Sequence, residues 1–255
     1  FELHKEKMFH EGLKYTVIDG IPTVYYTFDP ERSNINSTVR EALDAIERLT
    51  CLKFIEVPRT DERNKWYYFK GDGCWSFVGN VEYKNQEISI GDGCESVGTI
   101  SHETMHALGF GHTQSRPDRD DNLKVLPSHM DPSSVGNYDI SWDSKTYGTV
   151  YDFQSTMHYL SYFFANSEKP VFVTRDPSHA RYITSEGTMR YSEALGINSF
   201  YNCSSKIGTA CETKPTCLNG GFLANDCSCV CPANFTGPAC ETFAGAWFSP
   251  IAEDR

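Results

Sequence analysis

Residues 102–112 read HETMHALGFGH and bring three imidazoles and one carboxylate into a single short segment. If this segment is helical, His102 and His106 lie one turn apart, and their side chains leave the helix only about 40° apart, so both rings can reach one ion. Glu103 points further round the helix, where it can accept a proton from a water molecule held by that ion. The segment therefore predicts a metal ion beside a general base.

A third ligand comes from the turn that follows the helix. Gly109 tolerates a positive φ, which lets the chain leave the helix and return His112 toward the other two rings. Three neutral imidazoles leave a fourth position open for water, as a catalytic zinc site requires. The alternative is an amphipathic helix with incidental histidines, but the glycine at this position favours the metal site. The remaining histidines have no ligand spacing and are expected to be surface or hydrogen-bonded residues: His4, His10, His129, His158 and His179.

The elements that position this segment are short strands and a packed helix. Residues 21–29 and 51–57 are rich in β-branched and aromatic side chains and predict strands, and further short strands are expected between glycine-rich turns before the histidine segment. Residues 35–50 carry apolar side chains at helical spacing, with Thr38 and Glu41 in the positions of a capping box. A folded layer of strands and helix therefore precedes the histidines.

Beyond the histidine segment the chain loses its regular pattern. Residues 116–164 are rich in Asp, Ser, Pro and Tyr, and so long an irregular stretch in a compact domain usually indicates a functional segment. Residues 190–202 predict a closing helix, and after Cys203 the composition shifts to Cys, Gly, Asn and Pro. The expected organisation is a main domain over residues 1–203, a small module over 204–240, and a linker or tail over 241–255.

Charge and cysteine content narrow the class of protein. The 255-residue chain carries a net charge of -11 and no Lys/Arg block, which argues against a nucleic-acid partner. No apolar run approaches the ~20 residues that span a bilayer. We interpret the chain, which begins with the charged stretch FELHKEK, as the mature part of a secreted precursor. An extracellular location is favoured by the ten cysteines and by three N-x-S/T glycosylation sequons, at Asn36, Asn202 and Asn234.

Four separated motifs resemble those of the astacin family of zinc endopeptidases, a branch of the metzincins. They are CLKFIEVPRT, GCWSFVG, the histidine segment with its extension GFGHTQSRPDRD, and STMHY. The resemblance runs from about Ile21 to Cys203. It implies an α+β catalytic domain of the metzincin or zincin type, with a mixed twisted sheet, an active-site helix and an irregular C-terminal subdomain.

The resemblance also assigns roles to residues. One Zn²⁺ ion per chain would be bound by the three histidines of the segment. Glu103 would act as general base toward the zinc-bound water and then as general acid toward the leaving amine. Met157, in STMHY, would form a hydrophobic floor below the metal. Tyr159 would be a labile fifth ligand that swings away and donates a hydrogen bond to the tetrahedral intermediate, a role that suits its phenol.

Substrate binding is also implied by the resemblance, and two positions depart from the family pattern. GCWSFVG, with Cys74 and Trp75, resembles an edge strand that pairs with the substrate backbone. Thr113 stands where many members have a glutamate that helps to bury the new N-terminus. Glu186 stands where members that favour acidic residues after the scissile bond have arginine. A carboxylate in that pocket would repel an acidic side chain.

The cysteines after residue 210 resemble a second family. Six cysteines, with NGG after the second and FTGPAC at the end, are similar to an EGF-like domain. Many pairings are open to six cysteines, and a zinc knuckle is the alternative, although no histidine lies among them. The two resemblances imply the disulfides Cys51–Cys203, Cys74–Cys94, Cys211–Cys227, Cys217–Cys229 and Cys231–Cys240.

The sequence as a whole predicts a secreted zinc endopeptidase that hydrolyses extracellular matrix or other secreted proteins. The EGF-like module would bind or position a partner that the sequence does not identify. One alternative is an extracellular binding protein on an inactive protease scaffold, which loss of Glu103 or of one histidine would have favoured. Another is a zinc hydrolase with a non-peptide substrate. The resemblances of GCWSFVG and Tyr159 to the endopeptidase family argue against it.

Overall fold

A six-stranded sheet forms the first layer of the protein. The computed structural model describes residue 15 and residues 17–81, 84–184, 187–213 and 215–245. The strands of the sheet are β1 (Val17–Ile18), β2 (Ile21–Phe28), β3 (Lys53–Glu56), β4 (Lys65–Phe69), β5 (Cys74–Ser76) and β6 (Asn85–Ile90). β2 is buried along most of its length, which suits its run of β-branched and aromatic side chains.

The sheet is mixed, and at one end of its strand order β1 pairs with β2 in antiparallel orientation. β3 and β4 pair with β2 in parallel, and β6 pairs with β4 in parallel. β5 then runs antiparallel to β6, with Trp75 opposite Ser89, and ends the strand order on that side. The strands expected over residues 21–29 and 51–57 are present as β2 and the shorter β3.

Two helices pack against each other beside this sheet, α1 (Asn36–Leu49) and α2 (Val97–Ala107). The prediction of a capping box at Thr38 and Glu41 is wrong. A 3₁₀ helix over Pro30–Ile35 runs directly into α1, so α1 begins before Thr38 and its N-cap residue makes no side-chain capping bond. The apolar stripe of α1 is buried in the main core as expected, through Val39, Ala42, Leu43 and Ile46.

The region between residues 116 and 164 is irregular, as the sequence predicts, and it has a small core of its own. It includes α3 (Arg119–Asn122), β7 (Leu123–Val125) and several 3₁₀ turns, and β7 pairs with β8 (Phe172–Thr174). The closing helix is α4 (Tyr191–Phe200), which packs into the main core. The smaller core contains Leu123, Met130, Tyr138, Phe153, Val171 and Phe172.

The cysteine-rich segment packs directly on the main domain. It begins with α5 (Ser204–Ala210), and Ile207 and Cys211 belong to the main core. The Asn225 amide donates a hydrogen bond of 3.1 Å to the Arg48 carbonyl at the end of α1. The rest of the segment forms two small hairpins, β9 (Phe222–Leu223) with β10 (Cys229–Val230), and β11 (Phe235–Thr236) with β12 (Thr242–Phe243).

All ten cysteines form disulfides. The pairs are Cys51–Cys203, Cys74–Cys94, Cys211–Cys227, Cys217–Cys229 and Cys231–Cys240, which are those that the two resemblances imply. Within the described ranges, none of the helices has the length and apolar character needed to cross a membrane.

Candidate active site

Helix α2 carries the first two histidines and is fixed at both ends. At its start, the Ser96 hydroxyl accepts a hydrogen bond of 3.1 Å from the Thr99 amide, as an N-cap serine does. At its end, the His106 carbonyl accepts bonds of 2.8 Å from the Gly109 and Gly79 amides. The helix is therefore mostly buried and is hydrogen-bonded at both ends, so the side chains that it carries are held in fixed positions.

The three histidines converge on one point. The Nε2 atoms of His102 and His106 lie 3.2 Å and 3.1 Å from Nε2 of His112. Ligands at ~2.0–2.1 Å from a tetrahedral zinc ion are separated by about 3.3 Å, so the three nitrogens are spaced for one such ion. Among the described residues, this is the group of His, Cys, Asp and Glu side chains that could hold a metal.

The hydrogen bonds at the far side of the rings determine which nitrogen faces the centre unprotonated. Nδ1 of His102 lies 2.7 Å from the Thr156 carbonyl oxygen, and Nδ1 of His106 lies 2.7 Å from that of Phe110. A carbonyl oxygen only accepts, so both Nδ1 atoms carry the proton and both Nε2 atoms present lone pairs. Lone pairs directed at one point require a cation between them. The residues therefore fit a zinc ion, which they would hold through the three Nε2 atoms.

The turn after α2 returns the third ligand as the sequence predicts. Gly109 has a φ of 107°, a conformation in which a side chain would be strained. The Phe110 amide then bonds back to the Met105 carbonyl at 3.0 Å, and the chain reverses. Beyond His112, the Thr113 amide donates to the Met157 carbonyl at 2.9 Å. The segment that carries the third histidine is thus tied to the segment that contains Met157.

That segment is the turn over residues 155–158, all of which are buried. Met157 is 1% exposed and belongs to the main core. Its amide donates to the Ser155 hydroxyl at 3.0 Å. The turn packs against the core beneath the histidines and also supplies, through Thr156, the carbonyl that orients His102.

Tyr159 follows the turn and lies against the third histidine. Its ring centroid is 4.2 Å from that of His112, and the side chain is only half-buried. The backbone is held by a hydrogen bond of 3.2 Å from the Tyr159 amide to the Gln114 side-chain oxygen. Tyr138, Phe163 and Phe164 pack around the ring. The Tyr159 ring therefore packs beside His112 and remains partly accessible to solvent.

Glu103 lies on α2 between the two helical ligands and is 5% exposed. A carboxylate can take a proton from a water molecule. Glu103 therefore lies on the same helix as His102 and His106, whose Nε2 atoms meet that of His112.

The edge strand β5 is connected to the zinc helix at the backbone level. The Gly79 amide, which ends the GCWSFVG segment, donates to the His106 carbonyl, and the Gly79 carbonyl accepts a hydrogen bond of 2.9 Å from the Gln86 side chain. Gln86 is buried on β6, and sequence reasoning missed it because nothing in NQEISI marks it. Trp75 stacks edge-on with Phe69 and Phe77, and Cys74 is joined to Cys94.

A second residue missed from the sequence is Glu193 on α4. It is 3% exposed, and its carboxylate accepts hydrogen bonds from Ser155 and Thr156. Burial raises the pKa of Glu193, whereas the hydrogen bonds that it accepts lower that pKa. The local motif RYSEALG predicts only a helix start, so the contact with a turn 37 residues away carries no sequence signal.

The other predicted positions lie away from this centre or outside the described residues. His158 is buried and bonded to Tyr151 and to the Tyr159 carbonyl, and burial lowers its pKa to about 4. His129 bonds to the Pro170 carbonyl. Of the sequon residues, Asn202 and Asn234 are exposed and Asn36 is half-buried. His4, His10 and Glu186 lie outside the described residues.

Comparisons with known proteins agree with this geometry. The sequence profile of the peptidase family described as Astacin matches residues 20–202. Blastula protease 10 of Paracentrotus lividus is 37% identical over 225 residues, which are 85% of this chain and 37% of that protein. Meprin A subunit beta of Homo sapiens is 36% identical over 198 residues, which are 77% of this chain and 28% of that protein. The chain spans about a third of the length of these relatives.

A solved structure of a zinc protease is also similar to this chain. High choriolytic enzyme 1, a hatching enzyme zinc-protease from Oryzias latipes, superposes with a TM-score of 0.70 at 28% sequence identity. The superposition covers 77% of this chain and 98% of that one. Because the family profile spans the sheet, the histidine centre and the turn beneath it, the chain belongs to the astacin family of zinc metalloendopeptidases.

Proposed function

We propose that this chain is the catalytic part of a secreted endopeptidase that cleaves extracellular proteins, with Glu103 as its general base. The observation that carries the proposal is the convergence of the three Nε2 atoms, together with a buried carboxylate on the helix that bears two of them. The complete disulfide pairing supports an oxidising, extracellular location. The exposed sequon residues Asn202 and Asn234 support glycosylation there.

Glu103 takes the proton of the attacking water and delivers it to the leaving amine. When bound, zinc polarises the scissile carbonyl and makes water more acidic. The low exposure of Glu103 supports this role, because proton transfer by a fixed carboxylate needs no reorganisation of solvent. The three histidines hold the cation, and His102 and His106 have no proton to transfer at Nε2 because their protons are on Nδ1.

Tyr159 donates a hydrogen bond from its phenol to the oxyanion of the tetrahedral intermediate. Its ring lies against His112, and its backbone is held by Gln114, so the phenol is kept beside the histidine centre. A donor directed at a developing negative charge typically contributes ~10²–10³ in rate.

The substrate backbone adds to β5 as a further antiparallel strand. β5 ends the strand order of the sheet, and Cys74 and Trp75 lie on it. Its continuation at Gly79 is bonded to the zinc helix, so a peptide on this edge runs past the histidines. Because main-chain bonds supply this binding, many sequences are accepted.

Two sequence departures give finer proposals. Glu186 disfavours an acidic residue after the scissile bond, because a carboxylate at the sequence position where related enzymes have arginine would repel it. Thr113, in place of the family's glutamate, leaves the mature N-terminus to be anchored differently or not at all.

The cysteine-rich segment over residues 204–240 is proposed to be an EGF-like module with a binding or positioning role, followed by a linker or tail over 241–255. The three disulfides and two hairpins of the segment support this assignment. Residues 1–203 form the catalytic domain in this division.

The test is hydrolysis of a denatured protein by the wild type, by the wild type with a zinc chelator, and by Glu103→Ala. Glu87→Ala, which removes an exposed carboxylate of β6, is the matched control. We expect activity in the wild type and the control, and loss of about 10²–10⁴-fold in Glu103→Ala. Inactivity of the zinc-loaded wild type toward peptides would instead support a binding protein or a hydrolase of other substrates.

A further inference from the structure

We propose that Glu193 is a positioning residue of the zinc centre, which acts by holding Thr156 so that the Thr156 carbonyl fixes the ring of His102. The proposal concerns the formation of the metal site. It does not depend on the substrate or on the roles proposed for Glu103 and Tyr159.

One carboxylate oxygen of Glu193 receives three hydrogen bonds from the turn below the metal. Oε1 accepts from the Ser155 hydroxyl at 2.8 Å, from the Thr156 amide at 2.7 Å and from the Thr156 hydroxyl at 2.7 Å. All these groups are buried. Because one oxygen accepts all three bonds, it holds Ser155 and Thr156 in a fixed position relative to α4.

The other oxygen ties the same carboxylate to the start of α4. Oε2 accepts a hydrogen bond of 2.5 Å from the Arg190 amide, and Glu193 occupies the third position of the helix. A carboxylate in the first turn is stabilised there by the helix dipole. Glu193 therefore joins a rigid helix end to the turn.

The consequence for His102 follows from the two peptide groups on either side of Thr156. The group before it is held directly, through the Thr156 amide. The group after it contains the Thr156 carbonyl and the Met157 amide, and that amide donates to the Ser155 hydroxyl, which itself donates to Glu193. Both peptide planes are thus fixed by one carboxylate.

The Thr156 carbonyl in turn accepts from Nδ1 of His102 at 2.7 Å. This bond sets the proton on Nδ1 and the direction of the Nε2 lone pair. If Glu193 is removed, the Thr156 carbonyl can rotate, and His102 loses the partner that selects its tautomer and orientation.

The experiment compares the zinc affinities of Glu193→Gln, Glu193→Ala and the wild type by competition with a chromogenic chelator, in the absence of substrate. We expect both variants to bind zinc about tenfold more weakly, the lower end of the 10–100-fold range for residues that orient metal ligands. Glu193→Gln keeps the shape of the side chain and provides a variant that folds if Glu193→Ala does not.

The matched control is Asn198→Ala. Asn198 lies on the same helix, is 8% exposed, and donates a hydrogen bond of 2.8 Å to the Leu49 carbonyl, away from the turn. This control should lower the melting temperature of the zinc-free protein while leaving the zinc affinity unchanged. If Glu193→Gln and Glu193→Ala also lowered the melting temperature but left the zinc affinity unchanged, the role of Glu193 would be merely structural. That result would overturn the proposal.

A double-mutant cycle tests the route through the turn. Thr156→Val removes the hydroxyl donor, and its effect on zinc affinity should be smaller in Glu193→Gln than in the wild type, because the two residues act through one link. Additive effects would contradict the link. Failure of the wild type to cleave peptides would leave these affinities intact, so the two proposals fail separately.

Discussion

The amide of Gly79 donates a hydrogen bond of 2.8 Å to the carbonyl of His106. One residue belongs to the segment that follows the edge strand β5, and the other supplies a zinc ligand from α2. The bond uses one of the carbonyls that a helix end leaves without an internal partner. The edge proposed to bind substrate and the metal centre are therefore one rigid unit.

Replacing Tyr159 with phenylalanine tests its role at the oxyanion. The ring would still pack against His112, whereas the hydrogen-bond donor would be lost. We expect kcat to fall by about 10²-fold with little change in KM, because the bond is proposed to form only in the transition state. Steady-state kinetics at fixed zinc occupancy measure this. A rise in KM with an unchanged kcat would contradict the proposed role.

The turn that returns His112 depends on the backbone of Gly109. A side chain at a φ of 107° is strained, so Gly109→Ala should cost about 1–3 kcal/mol in unfolding free energy. It should also weaken zinc binding, since the third ligand would be displaced. Denaturant unfolding and chelator competition give the two values. Gly98→Ala, within α2 at ordinary φ, is the comparison; equal zinc affinities in all three proteins would show that the turn is not needed.

Cleavage specificity tests the proposal for Glu186. Profiling with a peptide library should show few acidic residues directly after the scissile bond in the wild type. Glu186→Arg should shift the profile toward Asp and Glu, because the charge of the pocket is reversed. Glu168→Arg, which makes the same charge change at an exposed residue of the described chain, controls for net charge. A clear wild-type preference for Asp at this position would remove the proposal.

The two disulfides of the catalytic domain should contribute unequally to stability. The Cys51–Cys203 bond closes a loop of 152 residues, and the Cys74–Cys94 bond closes one of 20. On the chain-entropy estimate, removing the first pair with two alanines costs about 5 kcal/mol and removing the second about 3 kcal/mol. Urea unfolding of each double variant measures the difference. If removing the Cys74–Cys94 bond lowered the free energy of unfolding more, the disulfides would stabilise mainly through contacts in the native state. The chain-entropy explanation would then be contradicted.

The sequence predicts the metal site well because its information is local. Helical spacing brings His102 and His106 together. In the same short segment, Gly109 predicts the turn that leads to His112. The strands over residues 21–29 and 51–57 are also predicted by composition, because their side chains suit a buried sheet.

What the sequence does not predict depends on contacts between distant segments. Glu193 and Gln86 reach the site from another helix and another strand, and their local sequences indicate only ordinary elements. The prediction of a capping box at Thr38 is wrong for a related reason. The preceding 3₁₀ helix leads directly into α1, so the helix begins before Thr38. Tertiary partners, rather than propensity, decide such positions.

The packing of α5 on the main core bears on how this enzyme can be divided for expression. Because Ile207 and Cys211 are buried with the core residues of the catalytic domain, a fragment that stops at Cys203 would expose an apolar surface to water. Such a fragment would tend to aggregate although it holds every proposed catalytic residue. A soluble preparation should extend through Cys240, so that all five disulfides close.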